Sequence, residues 1–220
     1  WLPLGAAGFK TQLLIHPAFR GHWEAAVRQL MNHRNPYTGL CLKDEPALAC
    51  VEPYNEQEIF LFEKDTMKAL TPSYRQYLQN KYRTEAALRQ AWGQGDAAFD
   101  RVPDITEELL RQGDAMAADA GAFLIKTMSD VTDWYVATLR NCGYPGLITQ
   151  WDMIMRTLEL PVRAKMPAIA QHSYFAHPGW SPTKNLVVQS ATNIGALKDD
   201  DISVSQGSSL NSSYMRAAAV

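Results

Sequence analysis

The sequence predicts an α/β fold built on a parallel sheet. Three short apolar runs, at residues 47–51, 147–150 and 168–171, have the length and composition of buried strands and lead into polar or aromatic residues. Longer segments whose apolar residues recur at helical spacing separate these runs. Because strands that alternate with helices favour parallel pairing, we expect a parallel α/β arrangement.

The first predicted elements lie in the N-terminal quarter of the chain. Residues 12–15 are interpreted as a short strand, and residues 23–31 carry apolar side chains at helical spacing. Pro36 ends this helix, because a proline disfavours the helical conformation of the residue before it. Residues 47–51 lie between prolines and predict a buried parallel strand, in which Cys50 is a small buried thiol.

Two long helical patterns fill the middle of the chain. The first covers residues 71–92 and opens with a proline in its first turn. The second covers residues 104–140, where Gly113 and Gly121 predict a kink or a division of the helix. The glycines and proline of residues 142–146 end this second pattern and lead into the strand that follows.

Composition and charge exclude several classes of protein. The chain has 220 residues, of which 46% are hydrophobic and 20% charged, so it can bury a core and is not a disordered chain. Its net charge is −2 without a basic block, which argues against nucleic acid binding, and no run of about 18 apolar residues predicts a membrane span. The three cysteines have no metal-like spacing and predict no disulfide framework, although a single bridge stays open.

The two ends of the sequence suggest an interior piece of a longer protein. The chain starts at Trp1, and residues 215–220 have the pattern of a helix without a stop signal. We therefore expect further sequence on both sides.

Polar side chains follow each of the three predicted strands. They are Asn55 and Glu56 after the first, Gln150, Trp151 and Asp152 after the second, and His172, Tyr174 and His177 after the third. The carboxyl ends of parallel strands meet on one face, where the following loops build a site. A carboxyl group beside an amide at such an end is how a parallel barrel presents a catalytic acid, which makes Glu56 the first candidate.

Each candidate also has a structural explanation. The Asn55–Glu56 pair is compatible with a helix cap and a solvated carboxylate, and Asp152 with a cap of the next helix. His172 and His177 are compatible with structural hydrogen bonding, or with a metal site for which no third ligand has matching spacing. Glu52 is interpreted as a polar strand residue that supports the site.

Four motifs resemble segments of the cellulase-like, family 5-like branch of clan A glycoside hydrolases. In chain order they are residues 35–39 (NPYTG) with 44–49 (DEPALA), residues 88–93 (LRQAWG), residues 148–150 (ITQ) and residues 172–178 (HSYFAHP). They are similar to the approach to the fourth strand, the helix end after the acid/base, the fifth strand and the sixth strand. The likeness extends over about residues 20–216.

The resemblance implies a fold and an activity. The chain would form part of a single catalytic (β/α)₈ barrel domain, roughly strands three to six with their helices, with the remaining strands supplied by the same or another chain. The activity would be that of a retaining glycoside hydrolase that cleaves O-glycosidic bonds of an oligosaccharide or polysaccharide without a metal or organic cofactor. Glu56 maps onto the general acid/base, Asn55 onto a contact with the sugar 2-hydroxyl, and His172 and Tyr174 onto the sugar site. Trp151 and His177 are further candidates for binding the sugar.

The second catalytic carboxylate of such enzymes is a glutamate on the seventh strand. No glutamate follows Glu159 in this sequence, so we expect the nucleophile beyond Val220. One alternative is a non-catalytic carbohydrate-binding barrel that kept its sugar contacts, and another is an unrelated α/β enzyme using Asp152 and His172. Secreted and periplasmic locations both suit the resemblance, and the sequence does not decide the localisation.

Overall fold

The computed structural model describes residues 12–57, 59, 64–152 and 157–170. The helices are α1 (Pro17–Met31), α2 (Lys64–Tyr82), α3 (Glu85–Trp92), α4 (Glu107–Arg111), α5 (Ala115–Asn141) and α6 (Leu160–Arg163), and the strands are β1 (Cys50–Val51) and β2 (Leu147–Ile148). This part of the chain is mostly helical with a small parallel sheet, which confirms the α/β prediction at that coarse level. None of the described helices is long and apolar enough to cross a membrane.

The two strands pair in parallel, as their separation by helices predicted. Cys50 is opposite Leu147 and Val51 is opposite Ile148. Ile148 is buried against residues from the ends of α1 and α5, whereas Cys50 and Leu147 are exposed. The prediction of a buried Cys50 thiol is therefore wrong, because alternate residues of a strand face opposite sides and this pair faces outwards.

Two other strand predictions differ from the structure. Residues 12–15 are helical, and the predicted strand there is wrong. The His16 N–H donates to the Gln12 carbonyl at 2.7 Å, which is the hydrogen bond of an α-helical turn. Leu13 and Leu14 are both buried. Residues 168–170 form a bend and coil instead of the third strand, and residue 171 lies outside the described residues.

The single helix predicted over residues 71–92 is wrong, because the structure has two helices there: α2 ends at Tyr82, and α3 begins at Glu85 after Arg83, whose φ is 65°. Helix α2 also begins earlier than predicted and contains Pro72 in its interior. A proline in a helix removes one backbone hydrogen bond and normally ends the helix. Here the buried face extends across the proline, with Met67 and Leu70 before it and Tyr74 and Leu78 after it. Burial of this apolar face outweighs the local cost, so the helix continues through Pro72.

The long pattern of residues 104–140 is divided, as Gly113 predicted. Gly113 has a φ of 71°, a left-handed conformation that ends α4. Asp114 then caps α5, because its side chain accepts a hydrogen bond from the Ala117 N–H at 2.8 Å. Gly121 does not interrupt α5; a Cβ there would lie 3.3 Å from Leu158, so this glycine permits close packing.

The core forms where α1, α2 and α5 meet. Its larger members include Trp23 from α1, Met67, Leu70, Tyr74 and Leu78 from α2, and Phe123, Leu124, Met128, Val131 and Tyr135 from α5. The Trp23 ring lies 4.7 Å from the Tyr135 ring, centroid to centroid, and the Trp23 indole N–H donates to the Pro53 carbonyl at 3.3 Å. The core is thereby joined directly to the segment that follows β1.

Candidate functional site

The candidate site lies at the carboxyl ends of β1 and β2, which parallel pairing places side by side. Gln150, which follows β2, is fully buried and clamps the backbone of Tyr54, which follows β1. Its Oε1 accepts from the Tyr54 N–H at 3.1 Å, and its Nε2 donates to the Tyr54 carbonyl at 2.8 Å. The clamp fixes the two strand ends relative to each other.

A second buried amide extends this network into α5. Gln57 accepts hydrogen bonds at Oε1 from Gln150 Nε2 and from the Tyr135 hydroxyl, both at 3.1 Å. Burial raises the pKa of the Tyr135 hydroxyl above its ordinary value, and the hydrogen bond to Gln57 opposes that rise. Buried polar groups that satisfy one another in this way rigidify their surroundings, so the segment around Glu56 is anchored on both sides.

Asn55 and Glu56 lie together between these two anchors. Asn55 is exposed and Glu56 is half-buried, so both are within reach of a ligand. The backbone of Glu56 has a φ of 52°, a left-handed conformation that is uncommon outside glycine and is frequent at functional sites. The Glu56 N–H donates to Asp152 Oδ1 at 3.0 Å, which ties the Asn-Glu pair to the end of β2.

Trp151 also has a left-handed backbone, with a φ of 66°. Its side chain is fully buried, and its indole N–H donates to Thr132 Oγ1 on α5 at 2.9 Å. The ring is therefore held within the core, where it supports the end of β2. Contact between Trp151 and a sugar stays a prediction, and this placement does not favour it.

A buried group of charges lies beneath the site. Asp152, Glu159 and Arg163 are each at most 1% exposed, and Glu52 is partly buried beside them. Burial lowers the pKa of the Arg163 guanidinium, and three carboxylates oppose that decrease: Glu159, Asp152 and Glu52. The Arg163 guanidinium also donates to the Ala170 carbonyl, which joins α6 to the segment that follows it.

Sequence reasoning missed two members of the buried charge group, Glu159 and Arg163. Their spacing of four residues, which places two side chains on the same face of a helix, was the only signal in the sequence. Glu52 lies directly after β1, and its charge opposes the decrease in the pKa of Arg163; its supporting role stays a prediction. Asp152 Oδ1 accepts from the Glu56 N–H at 3.0 Å. The residues that it was predicted to cap, 153–156, lie outside the described residues, so the cap stays a prediction.

Three predicted site residues, His172, Tyr174 and His177, lie outside the described residues. Within the described part of the chain, no group of three or more histidine, cysteine or acidic side chains is arranged to hold a metal ion. Comparisons of the chain with protein-family models, with curated proteins and with solved structures gave no match. The chemistry of the site is therefore argued from its geometry.

The two carboxyl groups joined at this edge differ in accessibility. Glu56 is half-buried with an exposed amide beside it, whereas Asp152 is fully enclosed and faces the Glu56 backbone and Arg163. Only Glu56 is open enough to exchange a proton with a bound molecule. The arrangement suits general acid/base chemistry by Glu56, with Asp152 in support.

Proposed function

We propose that this chain is part of a retaining glycoside hydrolase of clan A type, in which Glu56 is the general acid/base. The observation that carries the proposal is the position of Asn55 and Glu56 at the carboxyl end of β1, beside the end of its parallel neighbour β2. A (β/α)₈ barrel also joins neighbouring parallel strands through helical connections, and such barrels carry their catalytic side chains at this edge. Under the proposal, β1 and β2 are neighbouring strands of that barrel.

The proposed reaction is a double displacement. Glu56 protonates the glycosidic oxygen as the leaving group departs, and later removes a proton from the water that releases the sugar. Asn55 binds the sugar at its 2-hydroxyl, and His172, Tyr174 and His177 complete the sugar site. The nucleophile is a glutamate beyond Val220, whose carboxyl group the mechanism requires about 5–5.5 Å from that of Glu56. The reaction needs no metal or organic cofactor.

The substitution Glu56→Gln tests the acid/base role in protein expressed from its complete reading frame. Glutamine keeps the size and polarity of the side chain but cannot donate the proton, so kcat for unactivated glycosides should fall by about 10²–10⁴-fold. Aryl glycosides with acidic leaving groups need little protonation, and their bond cleavage should be much less affected. Steady-state kinetics on both substrate types measure the difference.

A matched control is Glu107→Gln, which neutralises a surface carboxylate paired with Arg111 on α4. E107Q should hydrolyse both substrate types at the wild-type rate. Turnover of unactivated glycosides by E56Q at the wild-type rate would contradict the assignment of Glu56.

A non-catalytic carbohydrate-binding barrel is the second candidate. It is favoured by the absence of any glutamate between Glu159 and Val220 in this sequence. A 2-deoxy-2-fluoro glycoside with a good leaving group separates the two candidates, because it accumulates as a covalent ester on a nucleophilic carboxylate. A mass increase on a second glutamate supports the enzyme. Glycan binding by calorimetry without label or hydrolysis supports the binding protein.

A further inference from the structure

Beyond the last paired residues of β1 and β2, side-chain hydrogen bonds keep the two segments together. In the sheet itself, pairing joins residue 50 to residue 147 and residue 51 to residue 148, an offset of 97. Beyond the sheet, Gln150 bonds to the Tyr54 backbone and Asp152 to the Glu56 backbone, both at an offset of 96. In the segments beyond the sheet, side chains of the residues after β2 therefore take the place of its backbone as hydrogen-bond partners of the backbone after β1.

Asp152 meets this segment at the residue with the least favourable backbone. A left-handed glutamate persists only where its surroundings determine its conformation, and the Glu56 N–H is held by the carboxylate of Asp152. Asp152 is itself fully buried, which limits the conformations that its side chain can adopt. Since Asp152 is enclosed, it can act on a bound sugar only through the groups that it contacts, and the Glu56 N–H is one of them.

We propose that Asp152 is a positioning residue that holds the backbone of Glu56 in its left-handed conformation and so aims the Glu56 carboxyl group at the substrate. The inference rests on the proposed function for its catalytic consequence, while the placement of the Glu56 backbone is independent of any substrate. The feature that matters is the hydrogen-bond acceptor at Oδ1. The negative charge of Asp152 takes no part in the reaction.

Two substitutions at this position separate the acceptor from the charge. Asp152→Ala removes the acceptor, so Glu56 relaxes towards an extended backbone and its carboxyl group moves; kcat should fall by about 10–100-fold with little change in KM. Asp152→Asn keeps an oxygen in reach of the Glu56 N–H and should retain kcat within about threefold of wild type. Both are measured on unactivated glycosides with the complete protein.

Two kinetic results would overturn the proposal. If D152N loses as much activity as D152A, the charge of Asp152 takes part in the chemistry, as in an enzyme that uses Asp152 directly. If D152A retains kcat within twofold, Glu56 does not depend on this bond. Should D152A fail to fold, Asp152→Ser replaces it, because the shorter hydroxyl does not reach the Glu56 amide while a polar group remains in the buried site.

Hydrogen exchange at the Glu56 amide tests the positioning without any glycoside. The amide should exchange at least about 10-fold faster in D152A than in wild type and at nearly the wild-type rate in D152N, since only the first loses the acceptor. Unchanged exchange in D152A overturns the proposal whatever the activity. A wild-type protein with a protected Glu56 amide and no glycosidase activity contradicts the proposed function and leaves the positioning intact.

A control distinguishes positioning from general destabilisation. Asp119 on α5 is also a buried aspartate, and it accepts hydrogen bonds from Lys81, Tyr82 and Trp92. Asp119→Asn should lower the stability of the fold but leave kcat and the exchange of the Glu56 amide as in wild type. If D119N reproduces the kinetic loss of D152A, the effect of D152A is one of stability and the proposal is overturned.

Discussion

Tyr74 and Tyr135 are both buried tyrosines of the core, but their hydroxyl groups have different surroundings. Within the described part of the chain, the Tyr74 hydroxyl has no hydrogen-bond partner, whereas the Tyr135 hydroxyl donates to Gln57 at 3.1 Å. Burial raises the pKa of Tyr74, and the negative charge of Asp119 raises it further. Burial of a hydroxyl group without a hydrogen-bond partner lowers the stability of the fold, whereas burial of the ring alone would not carry this cost.

The paired substitutions Tyr74→Phe and Tyr135→Phe test this difference. Y74F should leave the free energy of unfolding unchanged or raise it by up to about 1 kcal/mol, because no hydrogen bond is lost. Y135F should lower it by about 1 kcal/mol, because Gln57 loses one donor. Urea unfolding followed by circular dichroism measures both; equal losses in the two variants would show that Tyr74 has a partner after all.

At the residue scale, the sequence was most informative about Asn55 and Glu56. An amide and a carboxyl group a few residues after a predicted strand are visible as a local pattern, and the structure places them beside the residues that follow β2. Arg163 was not predictable in the same way, because Asp152 and Glu52, two of the charges that face it, come from other parts of the chain. Local pattern does not show which distant side chains a fold brings together.

At the element scale, a single carboxylate joins three helices. Asp119 on α5 accepts hydrogen bonds from Lys81 and Tyr82 at the end of α2 and from Trp92 at the end of α3. The Tyr82 and Trp92 bonds are both 2.7 Å long, and Asp119 is only 2% exposed. Hydrogen bonds to a buried charge are stronger than those between neutral groups, so this junction fixes how α3 packs on α5.

The substitution Asp119→Asn should lower the free energy of unfolding by about 2 kcal/mol, because an amide presents a donor where three donors already converge. A surface comparison is Asp130→Asn, which removes the exposed ion pair with Lys126 and should change stability by less than about 0.5 kcal/mol. Urea unfolding of the two variants provides the measurement. A loss in D119N no larger than that in D130N would mean that the junction contributes nothing.

A helix boundary was predicted correctly where the conformation of a single residue determines it. The division at Gly113 was predicted, since a left-handed glycine ends a helix by its own conformation. The continuation of α2 through Pro72 was not predicted, because the compensation comes from burial of Met67, Leu70, Tyr74 and Leu78 against other helices. Propensity is a local quantity, and here tertiary packing overrides it.

At the scale of the whole molecule, several buried tyrosines make the fold sensitive to alkaline pH. Burial raises the pKa of each of five tyrosines: Tyr54, Tyr74, Tyr82, Tyr135 and Tyr144. A raised pKa in the folded state means that the folded chain binds protons more tightly than the unfolded chain. Their contribution to stability is thus complete below the unfolded tyrosine pKa of about 10 and is lost as the pH rises above it.

Stability should accordingly be level between pH 8 and 9 and fall above about pH 10. Urea unfolding at a series of pH values measures the fall, and absorbance at 295 nm reports tyrosinate formation in the folded protein. The decrease should be smaller in Y74F, which removes one of the groups with a raised pKa. Constant stability up to pH 11.5 would contradict the burial of these hydroxyl groups.

The general fold class was predictable because the spacing of hydrophobic residues indicates alternating strands and helices. The extent of the sheet was not, since both strands are only two residues long and residues 168–170 pair with neither. The Ala170 N–H donates to Thr149 Oγ1 at 3.2 Å. This segment is therefore bonded to a threonine side chain, where the sequence predicted a third strand. An apolar run alone does not distinguish a strand from a segment held by side chains.

The substitution of side chains for backbone beyond β1 and β2 affects how this site can change over evolutionary time. A ladder of backbone hydrogen bonds is indifferent to amino-acid identity, so most mutations leave it intact. Here the backbone of Tyr54 is held by the side chain of Gln150 and that of Glu56 by the side chain of Asp152, so these bonds depend on which amino acids occupy two positions. A point mutation at either position can therefore change the backbone geometry of the candidate site while the residues of the hydrophobic core stay the same.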